Sequence, residues 1–159
     1  MLKSNSAAKS ARVTRARVAI VAARYNARYV NGMLRHAKGT LAEAGVGSSD
    51  LTVVRVPGAF EIPAVVSHLA KHKQSNQIEA VIGLGVILQG ATSHAQEIGT
   101  AVTQAFAQIQ VQFQIPVIHE VLVFTEVKQA RERCLSSEYN RGREAALTAL
   151  EMIKVMRRL

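Results

Sequence analysis

Gly83 to His94 reads Gly-Leu-Gly-Val-Ile-Leu-Gln-Gly-Ala-Thr-Ser-His, an apolar run passing through a glycine turn into a segment with helical character. A helix starting near Thr92 would carry Thr92, Ser93 and His94 in its first turn. Unpaired backbone N–H groups and the positive end of the helix dipole at such a turn favour a phosphate. His94 would stand one turn or less from that anion, with a proton affinity suited to proton transfer near neutrality. A phosphate pocket beside a proton carrier is active-site chemistry.

Two further segments carry candidate ligands. In Val56-Pro57-Gly58-Ala59-Phe60-Glu61-Ile62-Pro63, two prolines and a glycine frame a lone carboxylate. Glu61 could accept hydrogen bonds from ligand hydroxyls or act as a base; equally, it could satisfy donors at a helix N-terminus. In Arg24-Tyr25-Asn26, Tyr25 offers a flat face for a planar heterocycle and Asn26 an amide that both donates and accepts. Asn26 would also serve as an ordinary helix cap. Arg131, Arg133, Arg141 and Arg143 supply guanidinium groups for a phosphate or carboxylate, or simply charges on a solvated helix. Gly83, Gly85 and Gly90 do not form a G-x-G-x-x-G signature, and no G-x-x-x-x-G-K-[ST] loop is present. The five histidines form no Cys/His cluster of metal-binding type; His68 and His72 read as a solvated helix face.

The elements that must position these residues follow from periodicity. Arg17–Ala23, Leu51–Val56, Ile78–Leu88 and Val117–Thr125 read as strands. Ala27–Ala44, a segment from Glu61 or Pro63 to about Lys73, and Thr92 to about Phe113 read as helices. After Glu126 the chain is helical in two pieces, separated by Ser136–Asn140 and Gly142. In the last piece Ala145, Leu147, Leu150, Ile153 and Met156 form an apolar stripe. Near-continuous apolar strands alternating with helices imply an α/β fold with a parallel sheet covered on both faces. Such sheets bind ligands at the carboxyl ends of their strands, where Tyr25-Asn26, Pro57–Glu61 and Gln89–His94 should gather.

Composition agrees. The chain has 159 residues, 48% hydrophobic and 19% charged, enough for one domain burying roughly two-thirds of its unfolded surface. Aromatic residues are only 4% and Trp is absent, which argues against a surface that stacks many bases. The longest apolar run, Ala80–Leu88, is too short to cross a bilayer. A single cysteine, Cys134, permits no intrachain disulfide, and a reducing cytoplasm is the expected setting. Much of the +9 net charge sits at the ends, in Lys3, Lys9, Arg12, Arg15 and Arg17 and in Lys154, Arg157 and Arg158. Residues 1–16 read as a basic flexible tail that could be solvated, a targeting segment or a nucleic-acid arm. Residues 17–159 read as one catalytic domain.

Taken together, the segments resemble the lumazine synthase family of riboflavin biosynthesis. The resemblance is carried by Ala23-Arg24-Tyr25-Asn26, Val56–Pro63 and Gly90-Ala91-Thr92-Ser93-His94. It continues through Glu132-Arg133, Asn140-Arg141-Gly142, Glu144-Ala145-Ala146 and Ala149-Leu150-Glu151-Met152. It implies a three-layer, flavodoxin-like α/β/α sandwich on a four-stranded parallel sheet. The implied reaction condenses 5-amino-6-(D-ribitylamino)uracil with 3,4-dihydroxy-2-butanone 4-phosphate to 6,7-dimethyl-8-ribityllumazine, with no cofactor and no metal. His94 would transfer protons. Tyr25, Asn26, Ala59, Phe60, Glu61, Val86, Ile87 and His119 would bind the pyrimidine and its ribityl chain, Val86 and Ile87 through their backbones. Gly90, Ala91, Thr92 and Arg133 would bind phosphate, with Arg141 a further basic contact.

The resemblance also implies sites shared between adjacent subunits of a pentamer. The short Arg133–Asn140 connection favours a 60-subunit shell of twelve pentamers. This sequence departs from the family pattern at Gln89, at His119-Glu120 and at Arg141. Those departures leave a non-catalytic binder of flavin precursors, or a shell-forming homologue, as the rival reading. A nucleic-acid partner is disfavoured because the excess charge lies at the termini while the specific residues lie at strand ends.

Overall fold

The computed structural model describes residue 13 and residues 15–159. Four strands, β1 (Val18–Ala23), β2 (Leu51–Val56), β3 (Ala80–Leu88) and β4 (Val117–Phe124), form one all-parallel sheet in the order β2-β1-β3-β4. The helices between and after them are α1 (Ala27–Glu43), α2 (Ile62–Lys71), the short α3 (Lys73–Asn76), α4 (His94–Phe113), α5 (Val127–Leu135) and α6 (Arg141–Arg157). Helices α1, α5 and α6 cover one face of the sheet, while α2 and α4 cover the other. This is the three-layer, flavodoxin-like α/β sandwich.

Burial explains the layering. β1 and most of β3 are buried on both faces, as expected for strands between helical layers. β2 departs from this expectation. Thr52 and Val53 are exposed, because β2 is an edge strand that the helical layers do not fully cover. Most of the basic tail falls outside the described residues. Val13 and Ala16 are nonetheless buried in the core, so packing begins ahead of Arg17.

Two boundaries differ from the sequence expectation in ways that matter for the site. Helix α4 begins at His94, leaving Thr92 and Ser93 in the turn before it. Gly142 does not separate the last two helices; it lies in the first turn of α6, buried against the Met33 backbone of α1. The boundary is made instead by Asn140. Its side-chain carbonyl accepts from the Gly142 N–H at 2.9 Å, capping α6, and its amide donates to the Cys134 carbonyl at 2.7 Å. The buried stripe of α6 is accordingly Gly142, Ala145, Ala146, Ala149, Leu150 and Ile153, while Leu147 is half-buried and Met156 exposed. Small residues win this face because α1 crosses so closely. Cys134 is buried, and desolvation with the nearby Glu120 carboxylate pushes its thiol up to about 12.

Candidate active site

Four chain segments meet at the carboxyl ends of the strands. The Arg24 amide donates to the Val56 carbonyl at 2.7 Å and the Tyr25 amide to the Pro57 carbonyl at 2.9 Å. These bonds extend the pairing of β1 with β2 past both strands and bring Tyr25 beside residues 57–61. Asn26 follows in the left-handed region, at φ 53° and ψ 42°, which asparagine tolerates better than most residues. Its Nδ2 donates to the Val86 carbonyl at 2.7 Å. Asn26 is therefore placed as a brace from the end of β1 to the end of β3, with its amide engaged by protein rather than open to the cleft. Asn26→Ala should cost about 1–2 kcal/mol of unfolding free energy, from one lost hydrogen bond and an alanine forced left-handed. Asn26→Gly, which removes only the brace, should cost about half as much. Urea denaturation of both variants checks the ordering.

The gathered segments line a cleft of about 770 Å³. Tyr25, Ala59, Phe60 and Glu61 line it together with Val86, Ile87, Gly90, Thr92 and His94. Tyr25 and Phe60 are 72% and 61% exposed, which leaves two aromatic faces open in a concave site. The Glu61 carboxylate lies close over Gly58, where an added Cβ would come within 2.9 Å of it and turn the carboxylate aside. Glu61 is exposed and occupies the N-cap position of α2 without making a side-chain cap hydrogen bond. Its carboxylate is thus turned to the cleft, not spent on backbone donors.

Where α4 enters the cleft, its first intrahelical bond runs from the Glu97 amide to the Ser93 carbonyl at 3.0 Å. The amides of His94, Ala95 and Gln96 have no acceptor within the helix. His94 is the first helical residue and is exposed in the cleft. Periodicity placed it in the first turn; the structure sets it at the helix mouth itself. Sequence reasoning missed Glu97 and Ile98, which also line the cleft. The Ser93 hydroxyl donates to the Glu97 carboxylate at 2.6 Å, an i,i+4 pairing of a kind that a serine before a helix and a first-turn glutamate announce.

Besides Asn26, four candidate residues do not line this cleft: His119, Arg141, Arg133 and Ala91. His119 lies between β4 and α4. Its Nδ1 accepts from the Val121 amide at 3.2 Å, so the proton belongs on Nε2, which donates to Thr103 Oγ1 at 2.7 Å. The Thr103 hydroxyl in turn donates to the Gly99 carbonyl at 2.8 Å. The ring meets Phe106 edge-on, and burial lowers its proton affinity, so this histidine is held neutral. In its own subunit it is a packing residue with both ring nitrogens engaged. Arg141 is likewise engaged: Nε and Nη2 donate to the two oxygens of Glu120 at 2.9 and 3.0 Å, and Nη1 donates to Glu144. Arg133 is exposed on α5, away from the cleft of its own chain. Ala91 lies in the turn between Gly90 and Thr92 without lining the cleft.

Among the described residues no group of His, Cys, Asp and Glu could hold a metal ion, and no helix is long and apolar enough to cross a membrane. The sequence profile of 6,7-dimethyl-8-ribityllumazine synthase matches residues 15–157. The 6,7-dimethyl-8-ribityllumazine synthase of Xanthomonas euvesicatoria pv. vesicatoria (strain 85-10) is 38% identical over 145 residues, covering 91% of this chain and 92% of that protein. The one from Xanthomonas campestris pv. campestris (strain B100) is 37% identical over the same shares of each chain. With a match over nearly its whole length and a cleft built from the segments that carry the likeness, this chain belongs to the 6,7-dimethyl-8-ribityllumazine synthase family, enzymes of riboflavin biosynthesis.

Proposed function

We propose that the protein condenses 5-amino-6-(D-ribitylamino)uracil with 3,4-dihydroxy-2-butanone 4-phosphate to 6,7-dimethyl-8-ribityllumazine, releasing phosphate and water. The observation that carries this reading is that two open aromatic rings, the Glu61 carboxylate and the His94 helix mouth line one cleft. The rings of Tyr25 and Phe60 suit a pyrimidine, and Glu61 suits the hydroxyls of a ribityl chain. The backbone of Val86 and Ile87 suits the ring edge, and the Gly90–Thr92 turn suits the phosphate. The chemistry needs a Schiff base between an amine and the ketone, loss of phosphate, and ring closure by the second amine. Those steps call for positioning and for proton transfer, which falls to His94, more than for a strong nucleophile.

The anion site is incomplete within one chain, because Arg133 lies outside its own cleft. We read it as the guanidinium that a neighbouring copy supplies, in a pentamer that can close further into a 60-subunit shell. Residues 17–159 then form one catalytic domain preceded by a basic tail, working in the cytoplasm on small-molecule substrates. The test is lumazine formation from the two substrates, followed by absorbance and fluorescence with the protein-free rate subtracted. Turnover is expected, with His94→Ala lowering kcat on the order of tenfold, a modest fraction of what a general acid–base can contribute. Background rates from intact, oligomeric protein would instead favour a binder of flavin precursors that has lost turnover.

A further inference from the structure

Outside the cleft, the most unusual group of charges is built where β4 passes under α5 and α6. Glu120 points from β4 into the layer of α1, α5 and α6 and its side chain is only 6% exposed. It grips Arg141 with both oxygens, and Arg141 reaches Glu144 one turn further along α6. Arg133, one position before the buried Cys134 on α5, acts on Glu120 through space. On the same strand, the half-buried His119 faces the opposite layer, against Thr103 and Phe106. The charges around Glu120 are therefore Arg141 and Glu144 from α6 and Arg133 from α5, with Cys134 alongside as a neutral thiol. Two guanidinium groups and two carboxylates cancel. Only Arg133 among the cations is left facing outward without a carboxylate clasping it.

We propose that Glu120 is a positioning residue for anion binding: it takes Arg141 out of the anion-binding set and, through its charge beside Arg133, sets how strongly that arginine holds a phosphate. This rests on the reading of Arg133 as a phosphate ligand. It assigns a purpose to the pairing of a buried glutamate with an arginine rather than a lysine, since the planar fork of a guanidinium matches both Glu120 oxygens side by side and still extends a donor to Glu144.

The cluster is also poised to respond to pH. Burial is the largest influence on Glu120 and raises its pKa to about 7 against the opposing pull of Arg141. Above that pH the cluster is neutral; below it Glu120 takes up a proton and the cluster gains one positive charge. Anion affinity at Arg133 accordingly rises as pH falls through about 7. Linkage gives the matching sign for stability. Glu120 binds more protons folded than unfolded between its ordinary value of 4.5 and about 7, so its contribution to stability is lost as pH rises across that window.

Sulfate is a suitable probe because it does not titrate in this range. Its inhibition constant against the four-carbon phosphate substrate is measured at constant ionic strength from pH 6 to 8.5 in the native protein, Glu120→Gln, Arg141→Ala and Arg133→Ala. Any contribution of His94 is common to the native protein and Glu120→Gln, so the difference between their slopes isolates Glu120. Sulfate is expected to bind on the order of fivefold tighter to Glu120→Gln than to the native protein at pH 8, with the two converging at pH 6. Arg141→Ala, in which Glu120 without its partner takes up a proton and leaves the net charge unchanged, should hold sulfate affinity within about twofold, whereas Arg133→Ala should weaken it on the order of 100-fold. Parallel slopes in the native protein and Glu120→Gln, with binding that still needs Arg133, overturn the role of Glu120 alone. Sulfate binding as tight in Arg133→Ala as in the native protein overturns the anion-site reading and this proposal with it. Should Glu120→Gln fail to assemble, Glu144→Gln at the exposed end of the cluster serves instead. Removing that negative charge should shift the midpoint of the pH response downward, and an unmoved midpoint overturns the proposal.

Discussion

Arg133→Ala is expected to lower kcat/KM for the four-carbon phosphate substrate about 100-fold, the cost of one charge-assisted contact to phosphate at about 2–3 kcal/mol. The loss should fall on the phosphate substrate and leave the KM for the ribitylaminouracil within a few-fold, because Arg133 is read as a ligand of the phosphate, whereas Tyr25, Phe60 and Glu61 are read as contacts of the ribitylaminouracil. Stability should barely change, since the side chain is exposed on α5. Mixing experiments sharpen the result. Arg133→Ala and His94→Ala are damaged on opposite sides of a shared site if the arginine reaches a neighbour's cleft. Coassembly of the two impaired variants should then raise activity above the mean of the parent variants, because random association leaves about a quarter of the shared sites intact. No such rise, in mixed particles verified by mass, would place Arg133 and His94 in the service of the same subunit's cleft.

Gly142→Ala is expected to be the most destabilising single methyl in the chain. The added Cβ would overlap the Met33 carbonyl and the atoms bonded to it, all backbone of α1. Backbone cannot rotate aside as a side chain can, so α6 must lift away from α1 along a face lined by Ala145, Ala146 and Ala149. Overpacking in a dense core costs about 1–3 kcal/mol, and a clash against backbone belongs at the upper end or beyond. Loss of about 3 kcal/mol or more in urea denaturation, or failure to accumulate folded protein, is the expected outcome. Gly39→Ala provides the control: nothing lies within 4 Å of a Cβ there, and an alanine within α1 should be neutral or slightly stabilising.

The sheet, its neighbours and the ends of most elements were legible in the sequence because apolar runs and turn residues record burial directly. β1 and β3 read as doubly buried strands and are. β2 did not reveal its exposure: Leu51-Thr-Val-Val-Arg-Val has strand composition whether or not a helix lies over it. The start of α4 shifted from Thr92 to His94 because threonine and serine fit equally well in a first turn or in the turn before it. Gly142 looked like a breaker because local propensity sees only flexibility, and close approach of α1 is a tertiary fact.

The site divides along the same line. Tyr25, Phe60, Glu61 and His94 were readable as strand-end residues, and they do share one cleft. What Asn26, His119 and Arg141 do was not. Their partners, Val86, Thr103 and Glu120, lie 60, 16 and 21 residues away, and no local pattern announces a hydrogen bond over such separations.

The burial of Cys134 has a practical corollary. It is the only sulfhydryl in the chain, it is fully covered, and its proton is held so firmly that almost no thiolate exists at neutral pH. The folded protein is therefore silent toward maleimides and disulfide reagents without any cysteine having to be removed. A reporter cysteine introduced on the cleft rim would be the single labelled position. Modification of Cys134 itself would then time the moments when α5 peels from α1 and α6, a clock for local opening already written into the native sequence.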